Sequence, residues 1–143
     1  MEINLRRTDD AFRMEASNED GHIVVTDASE KVGGKNSAFR PMQMLLASLG
    51  ACSSIDVIHI LNRQRQPLDD IKIKITAERY EDRVPALFKH IHVHYDLYGN
   101  VKPEKAEQAV RLSMEKYCSV ALTLEKAVAI SYDHQLHATV TDK

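Results

Sequence analysis

The segment from Pro41 to Leu61 constrains the fold of this chain more than any other. It contains no further proline, and Pro41 suits the first turn of a helix, where its missing N–H is not needed. A helix of this length would extend over roughly 32 Å. Apolar residues lie on nearly all of its sides, and a thin polar seam consists of Gln43, Ser48, Ser53, Asp56 and His59. A helix that is apolar nearly all round must be buried nearly all round.

The length of the chain makes such burial difficult within one subunit. The 143 residues are enough for one compact domain, which we expect to span residues 1–143, and they leave little interior for this helix. A subunit interface is the natural place for part of the apolar surface. We therefore expect an oligomer.

Composition and charge exclude several classes of protein. Nineteen basic and twenty-one acidic residues give a formal charge of −2, whereas nucleic-acid binders normally have a strong basic excess. The segment Met1–Arg7 contains the charged residues Glu2, Arg6 and Arg7, whereas a signal peptide would need a long apolar run. The sequence contains no uninterrupted run of about 18 apolar residues, so we expect no membrane-spanning segment. We expect a soluble, cytoplasmic protein without a nucleic-acid or membrane partner.

The patterns on either side of the long helix favour strands and one further helix. Alternation in Phe12–Ala16 and a β-branched run at Ile23–Thr26 predict two or three antiparallel strands before residue 28, followed by a loop over 29–40. Further elements are predicted as a strand from Ile71 to about Tyr80, a strand over Phe88–Leu97, a helix from Pro103 to about Cys118, a short helix or turn over Ser119–Lys126, and a strand over Ala127–Tyr132. This order predicts an α+β fold with an antiparallel sheet.

Two cysteines are the main candidates for chemistry. Cys52 lies in the middle of the long helix and Cys118 at the end of the second, 66 positions later. Free cysteine is often a small buried hydrophobe, so spacing alone favours two inert core residues. The functional alternative is a peroxidatic and resolving pair. In such a pair, one thiolate attacks a peroxide and becomes a sulfenic acid, with which the second thiol condenses to a disulfide.

An attacking thiol inside such a helix requires a nearby cation. Only the ionised thiol is a good nucleophile, and an apolar setting opposes ionisation. The helix macrodipole does not supply the charge, because its effect fades within the first turn and Cys52 lies eleven residues beyond Pro41. Arginine keeps its charge when partly buried. Spacing does not choose among Arg13, Arg40, Arg63 and Arg65.

Two motifs around the cysteines resemble a known family. The segment Arg40–Cys52 (RPMQMLLASLGAC) and the later segment Lys116–Val120 (KYCSV) resemble the OsmC/Ohr family of osmotically inducible and organic hydroperoxide resistance proteins. The proline eleven residues before a helical cysteine and the Tyr-Cys-Ser-Val context of the second cysteine are its specific parts. The resemblance extends over almost the whole chain.

The resemblance implies both a fold and an activity. The fold is α+β, with antiparallel sheets around two long central helices of an intertwined obligate homodimer. The implied activity is that of an antioxidant stress-response protein, a thiol peroxidase that reduces organic hydroperoxides or hydrogen peroxide. Cys52 would be the attacking thiol and Cys118 the resolving one, with Arg13 the best match to the activating arginine. A small dithiol or lipoyl-type reductant is implied, and no metal, haem or flavin cofactor, because sulfur itself carries the redox change.

One position departs from the family pattern. Characterised peroxidases of the family have a glutamate just after the helix-opening proline, where it pairs with the arginine, and this chain has Met42 and Gln43 there. Gln43 can form a hydrogen bond with an arginine but supplies no charge. This departure favours an alternative of another class: a non-catalytic protein that binds a small hydrophobic or thiol ligand in a pocket beside Cys52 at the dimer interface.

A histidine pattern on one predicted strand has a spacing that metal sites use. His90, His92 and His94 alternate along a predicted strand and so share one face. Imidazole suits zinc, copper or nickel, but a metal site would need further ligands and partners that orient them. We interpret these histidines as the polar outer face of the strand.

Overall fold

The computed structural model describes residues 1–139 of the chain. Its strands are β1 (Ile3–Arg7), β2 (Met14–Asn18), β3 (Ile23–Thr26), β4 (Leu68–Arg79), β5 (Phe88–Gly99) and β6 (Ala129–His137). Its helices are α1 (Pro41–Arg63), α2 (Pro103–Leu112) and α3 (Ser119–Leu124), with a 3₁₀ turn at Glu30–Val32 and a π-helical turn at Ser113–Tyr117. The mixture of helices and sheets confirms the predicted α+β class.

The chain divides into two compact units, of which the first is Met1–Leu46. It contains an antiparallel sheet in the order β1-β2-β3, in which Leu5 faces Ala16 and Ala16 faces Val24. These are the antiparallel strands predicted before residue 28. The loop predicted over 29–40 contains the 3₁₀ turn, and the first residues of α1 complete this unit.

The second unit begins at Ala47 and contains a sheet in the order β4-β5-β6. Strands β4 and β5 are antiparallel, with Ile75 opposite Val93. Strand β6 departs from the expected antiparallel pairing, because it runs parallel to β5 with Val93 beside Tyr132. A parallel partner requires a long crossover connection, and α2, the π-helical turn and α3 supply it.

Alternation along β5 gives this sheet a buried and a polar face. Ile91, Val93, Tyr95 and Leu97 are completely buried, whereas the residues between them are half-buried. Residues of α2, the π-helical turn and α3 complete the core, among them Ala106, Ala109, Val110, Met114 and Ala121. The helices thus cover one face of the sheet, and the histidines of β5 lie on the other.

Helix α1 lies very close to β4 at Gly50. A Cβ atom built on Gly50 would be 2.9 Å from Ile75 Cδ1 and 3.7 Å from Ile73 Cγ2. Any larger residue would therefore push the helix or the isoleucine away. This close approach fixes the distance between α1 and the sheet, and it thereby fixes the position of Cys52, two residues further on.

Much of the apolar surface of α1 is left uncovered by the described chain. Its buried residues are Leu49, Gly50, Ser53, Val57 and Leu61, whereas Ile55 is 67% exposed. Within the described residues, α1 is also long and apolar enough to cross a membrane, with a mean hydropathy of 1.7 over an 18-residue window. Core helices of soluble proteins pass the same test of length and composition. The absence of a membrane span stays a prediction.

Some boundaries differ from those predicted. Helix α1 continues two residues beyond Leu61, β4 begins at Leu68, and β6 begins at Ala129 and reaches His137. The second helix does not continue to Cys118, because the α-helical hydrogen bonds end at Leu112 and a π-helical turn follows. Ser119–Leu124 forms the short helix that was one of the two predicted alternatives.

Candidate functional site

The structure brings Cys52 and Cys118 together. Cys52 projects from the middle of α1, and Cys118 stands between the π-helical turn and α3. Their thiols are close enough for Cys52 to help raise the pKa of Cys118, and neither cysteine is in a disulfide. Two sulfur atoms far apart in sequence thus meet inside the second unit.

The π-helical turn places Cys118. The backbone N–H of Cys118 donates to the carbonyl of Ser113 at 2.7 Å, a hydrogen bond that spans five residues. Cys118 itself has extended backbone angles, so the helix ends there, and its sulfur accepts the N–H of Ala121 at 3.4 Å as the N-cap of α3. Single π-helical turns are frequent at functional sites.

The two thiols differ in burial and acidity. Cys118 is completely buried, and Cys52 is half-buried. Burial, with a smaller contribution from the neighbouring Cys52 thiol, raises the pKa of the Cys118 thiol to about 11. Cys118 is therefore almost entirely a neutral thiol at physiological pH, and Cys52 is the thiol that a solute can reach more readily.

A buried polar network lies next to the cysteines. The Tyr95 hydroxyl donates to Ser53 Oγ at 2.7 Å and contacts Met114 Sδ at 3.1 Å, and Ser53 Oγ donates to the Gly50 carbonyl at 3.2 Å. Burial raises the pKa of Tyr95 well above its usual value. The tyrosine thus remains a hydrogen-bond donor that ties β5 to α1.

A second link runs from the π-helical turn to α1. Ser113 Oγ donates to the carbonyl of Ser53 at 2.9 Å and contacts Asp56 Oδ2 at 3.3 Å. Both Ser53 and Ser113 are completely buried. The sequence placed Ser53 in the polar seam of the long helix and did not single out Ser113 or Tyr95, because no local pattern indicates a π-helical turn.

An open cleft lies beside this network in the second unit. It has a volume of about 550 Å³, and its walls include Asp56, Ile60, Arg63, Leu112 and Tyr117. Tyr117 directly precedes Cys118 in the chain. The cleft has both apolar walls and charged groups, and Arg63 is the candidate arginine that it contains.

Arg13 lies in the first unit, just before β2. Its Nη1 donates to Ser37 Oγ at 2.7 Å, and that hydroxyl in turn donates to Asp27 Oδ2 at 2.8 Å. Among residues 1–139, no carboxylate forms a direct ion pair with this guanidinium. The hydrogen bonds from Ser37 hold the pKa of the buried Asp27 at about 2.

Gln43 is also in the first unit, near the start of α1. Its Oε1 accepts the backbone N–H of Arg40 at 3.0 Å, a capping contact in the first turn. The Arg40 guanidinium donates instead to Asn36 Oδ1 at 3.1 Å. Gln43 thus bonds to an arginine through its main chain and not through its side chain.

The histidines of β5 form a hydrogen-bonded row with β6. Ser131 Oγ bonds to both His90 Nε2 and His92 Nδ1, and Asp133 Oδ1 bonds to His92 Nε2 at 3.0 Å and His94 Nδ1 at 2.6 Å. In the described part of the chain, no three histidine, cysteine or acidic side chains are arranged to hold a metal ion. The row is a polar sheet face, as interpreted from the sequence.

Comparison with known proteins gives consistent similarities. A family model described as OsmC-like protein matches residues 34–133. Protein YhfA of Escherichia coli K12 is 44% identical over 119 residues, which cover 82% of this chain and 85% of that protein.

Solved structures have the same fold. A hypothetical protein from Aquifex aeolicus VF5 is 33% identical, with a TM-score of 0.78 over 95% of this chain and 96% of that one. An organic hydroperoxide resistance protein, OsmC, from Legionella pneumophila is 20% identical, with a TM-score of 0.69 over 98% of each chain. At this lower identity the likeness concerns the fold alone.

Proposed function

This chain belongs to the OsmC-like protein family, and from that membership and its paired thiols we propose that it reduces organic hydroperoxides or hydrogen peroxide. Cys52 is the attacking residue and Cys118 the resolving residue. The observation that carries the proposal is the proximity of the two thiols, through which Cys52 helps to raise the pKa of Cys118. The name of the Legionella structure, an organic hydroperoxide resistance protein, supports it at the level of the family.

The difference in burial supports this division of roles. A peroxide must reach the attacking sulfur, and only Cys52 is partly exposed, whereas Cys118 is fully enclosed. The resolving thiol needs only to reach the sulfenic acid that forms on its neighbour, so complete burial does not prevent its reaction. The reverse assignment would place the attacking thiolate at the residue whose pKa is raised to about 11.

The proposed reaction has two steps. The Cys52 thiolate attacks the terminal oxygen of ROOH, the S–O bond forms as the O–O bond breaks, and the alkoxide leaves as ROH after it takes up a proton. The sulfur of Cys118 then attacks the sulfenic sulfur, the S–S bond forms, and hydroxide takes the Cys118 proton and leaves as water. A dithiol of the small or lipoyl type reduces the disulfide by exchange.

The cation in this proposal is Arg13, assigned by the family resemblance. Support comes from its guanidinium, which bonds to the neutral hydroxyl of Ser37 and retains an uncompensated charge among the described residues. Replacing Arg13 by alanine should slow the oxidation of Cys52, and replacing it by lysine should restore part of the rate. Gln43, the other proposed site residue, caps α1 and contributes no charge.

A homodimer is part of the proposal. Ile55 on α1 is 67% exposed and Tyr117 is 50% exposed, and a partner subunit would cover such apolar groups. Two further expectations remain predictions. One is a single domain over residues 1–143, and the other is a location in the cytoplasm, where free thiols are kept reduced.

Peroxide consumption tests the proposal. The purified protein with excess dithiol should remove cumene hydroperoxide or hydrogen peroxide, Cys52→Ser should remove neither, and one equivalent of peroxide should lower the intact mass of the wild type by two hydrogens. Neither Cys52→Ser nor Cys118→Ser should form this internal disulfide. Ser54→Ala is the matched control on α1, because within residues 1–139 the hydrogen bond of Ser54 Oγ goes to the Ala51 carbonyl of the same helix. An unchanged mass together with no turnover of either peroxide would refute the peroxidase.

The open cleft favours a second candidate, a non-catalytic binding protein. Its volume of about 550 Å³ suits a small ligand with an apolar body. Cys52→Ser separates the two functions, since an enzyme would lose turnover whereas a binding protein would keep its ligand.

A further inference from the structure

Ser113 connects both halves of the cysteine pair. Its carbonyl accepts the N–H of Cys118 at 2.7 Å, and its hydroxyl donates to the carbonyl of Ser53, the residue directly after Cys52, at 2.9 Å. One residue therefore bonds to the main chain of the second cysteine and to the turn of α1 that holds the first.

The position of Ser113 is fixed from all sides. The residue is completely buried, it opens the π-helical turn, and its hydroxyl also contacts Asp56 Oδ2 at 3.3 Å. Of the other buried hydrogen bonds around the cysteines, that of Ser53 to the Gly50 carbonyl stays within α1, and the Tyr95 hydroxyl of β5 contacts Ser53 Oγ and Met114 Sδ; none of them involves the Cys118 backbone. The hydroxyl of Ser113 is thus a side-chain tie between α1 and the turn that ends at Cys118.

Such a tie matters most for the second step of the reaction. The sulfur of Cys118 has to reach bonding distance of the Cys52 sulfenic acid, and misplacing reacting groups by about 1 Å can cost 100-fold in rate. Cys118 is also a poorly ionised nucleophile, because burial raises its pKa to about 11. Its reaction therefore depends on proximity more than on intrinsic reactivity.

We propose that Ser113 is a positioning residue for disulfide formation, which holds Cys118 against Cys52 through the π-helical turn. This inference rests on the proposed peroxidase function. It concerns only the condensation of Cys52–SOH with Cys118–SH, which forms the S–S bond and releases water. The first step, attack of Cys52 on the peroxide, does not depend on the Ser113 hydroxyl.

Separate rates of the two steps test the inference. Stopped-flow oxidation with one equivalent of cumene hydroperoxide would give the loss of the Cys52 thiol, and acid quenching followed by intact mass would give the disulfide. In Ser113→Ala the thiol should be lost at the wild-type rate, whereas the disulfide should form at least about ten-fold more slowly. The sulfenic acid should accumulate and be trapped by dimedone, as it is in Cys118→Ser.

Ser53→Ala is the matched control. It removes a completely buried hydroxyl with two hydrogen bonds, those to Tyr95 and to the Gly50 carbonyl, yet leaves the Ser53 carbonyl that Ser113 contacts. It should lower the Tm while both rates stay within about two-fold of the wild type. A slow disulfide step in both variants would show a general effect of stability and overturn the role of Ser113.

The outcomes separate the two proposals. If the wild-type thiol is not oxidised, the peroxidase function fails. If it is oxidised and folded Ser113→Ala forms the disulfide as fast as the wild type, the positioning role fails. If Ser113→Ala does not fold, Ser113→Thr is used instead, because it keeps the hydroxyl. Disulfide formation at the wild-type rate in Ser113→Thr supports the role of Ser113. Slow disulfide formation in a Ser113→Thr protein with the wild-type Tm contradicts it.

Discussion

The Cys118 thiol lies next to the Cys52 thiol, which helps to raise its pKa, yet of the two only Cys52 is partly exposed. The pair is therefore asymmetric before any reaction occurs. One thiol can meet a solute, and the other can meet only its neighbour. This asymmetry can be measured with a reagent as simple as an alkylating agent.

Alkylation at pH 8 should modify Cys52 alone in the native protein. With a pKa of about 11, only about one Cys118 side chain in a thousand is ionised at this pH, and complete burial blocks access as well. Peptide mapping after iodoacetamide treatment should find one adduct in the native protein and two in guanidinium chloride. Native Cys52→Ser should take up none. Equal labelling of both cysteines in the native state would contradict the described burial.

Replacing Gly50 by alanine should lower the free energy of unfolding by about 1 kcal/mol. The added Cβ would lie 2.9 Å from Ile75 Cδ1, which is the end of a side chain and can move at modest cost. Ile75→Val removes that atom, so the double variant should be as stable as Ile75→Val alone. Urea unfolding of all four proteins measures this coupling, and strictly additive losses would contradict the contact.

Replacing Ile55 by aspartate should convert the proposed dimer into a folded monomer. Ile55 is 67% exposed in a single chain, so a charge there is harmless to the fold and unfavourable in an apolar interface. Light scattering should give twice the 16.2 kDa chain mass for the wild type and the chain mass for the variant. Val84→Asp is the control, because Val84 is 99% exposed in the β4–β5 connection. An Ile55→Asp protein that stays dimeric would place the interface elsewhere.

The histidine row should make stability depend on pH in two directions. A hydrogen bond with Asp133 raises the pKa of His94, and the same bond lowers the pKa of Asp133. The carboxylate contribution is present above the usual pKa of 3.8 and is lost as pH falls through the lowered value. The histidine contribution is present below 6.5 and is lost as pH rises through the raised value. The row should thus stabilise the fold most between about pH 4 and 6.5.

Replacing Asp133 by asparagine tests this window. The wild type should lose urea stability between pH 6 and 8, and the variant should lose less over the same range because His94 no longer gains from the carboxylate. Asp82→Asn is the matched control, since in the described part of the chain Asp82 forms its ion pair with the exposed Arg83. An identical pH profile for wild type and Asp133→Asn would remove this role.

Local patterns predicted most of the elements correctly. Pro41 and the uninterrupted run after it predicted α1, and alternation around Ile73 predicted β4, because burial of one face depends only on spacing along the chain. The α+β class followed from the order of these elements. Exposure of Ile55 agrees with the expectation that one chain cannot bury the whole helix.

The remainder depends on contacts between distant residues. Parallel and antiparallel strands have the same alternation, so the direction of β6 had no local signal. The π-helical turn likewise has no signature in its residues, and Ser113 was missed for that reason. The meeting of Cys52 with Cys118 was implied by the family resemblance alone, since spacing over 66 residues favoured two inert cysteines.

The parallel direction of β6 has a consequence for newly made protein. His90 on β5 pairs with Ala129, and the crossover between them carries Cys118. Closing so large a loop costs chain entropy before its contacts repay it, so such pairings tend to form late during folding. Until they form, the sulfur of Cys52 in a nascent molecule lacks Cys118 as its intramolecular partner. A peroxide that oxidised that sulfur to a sulfenic acid at this stage would leave it open to a foreign thiol, which condenses with it to a mixed disulfide and releases water.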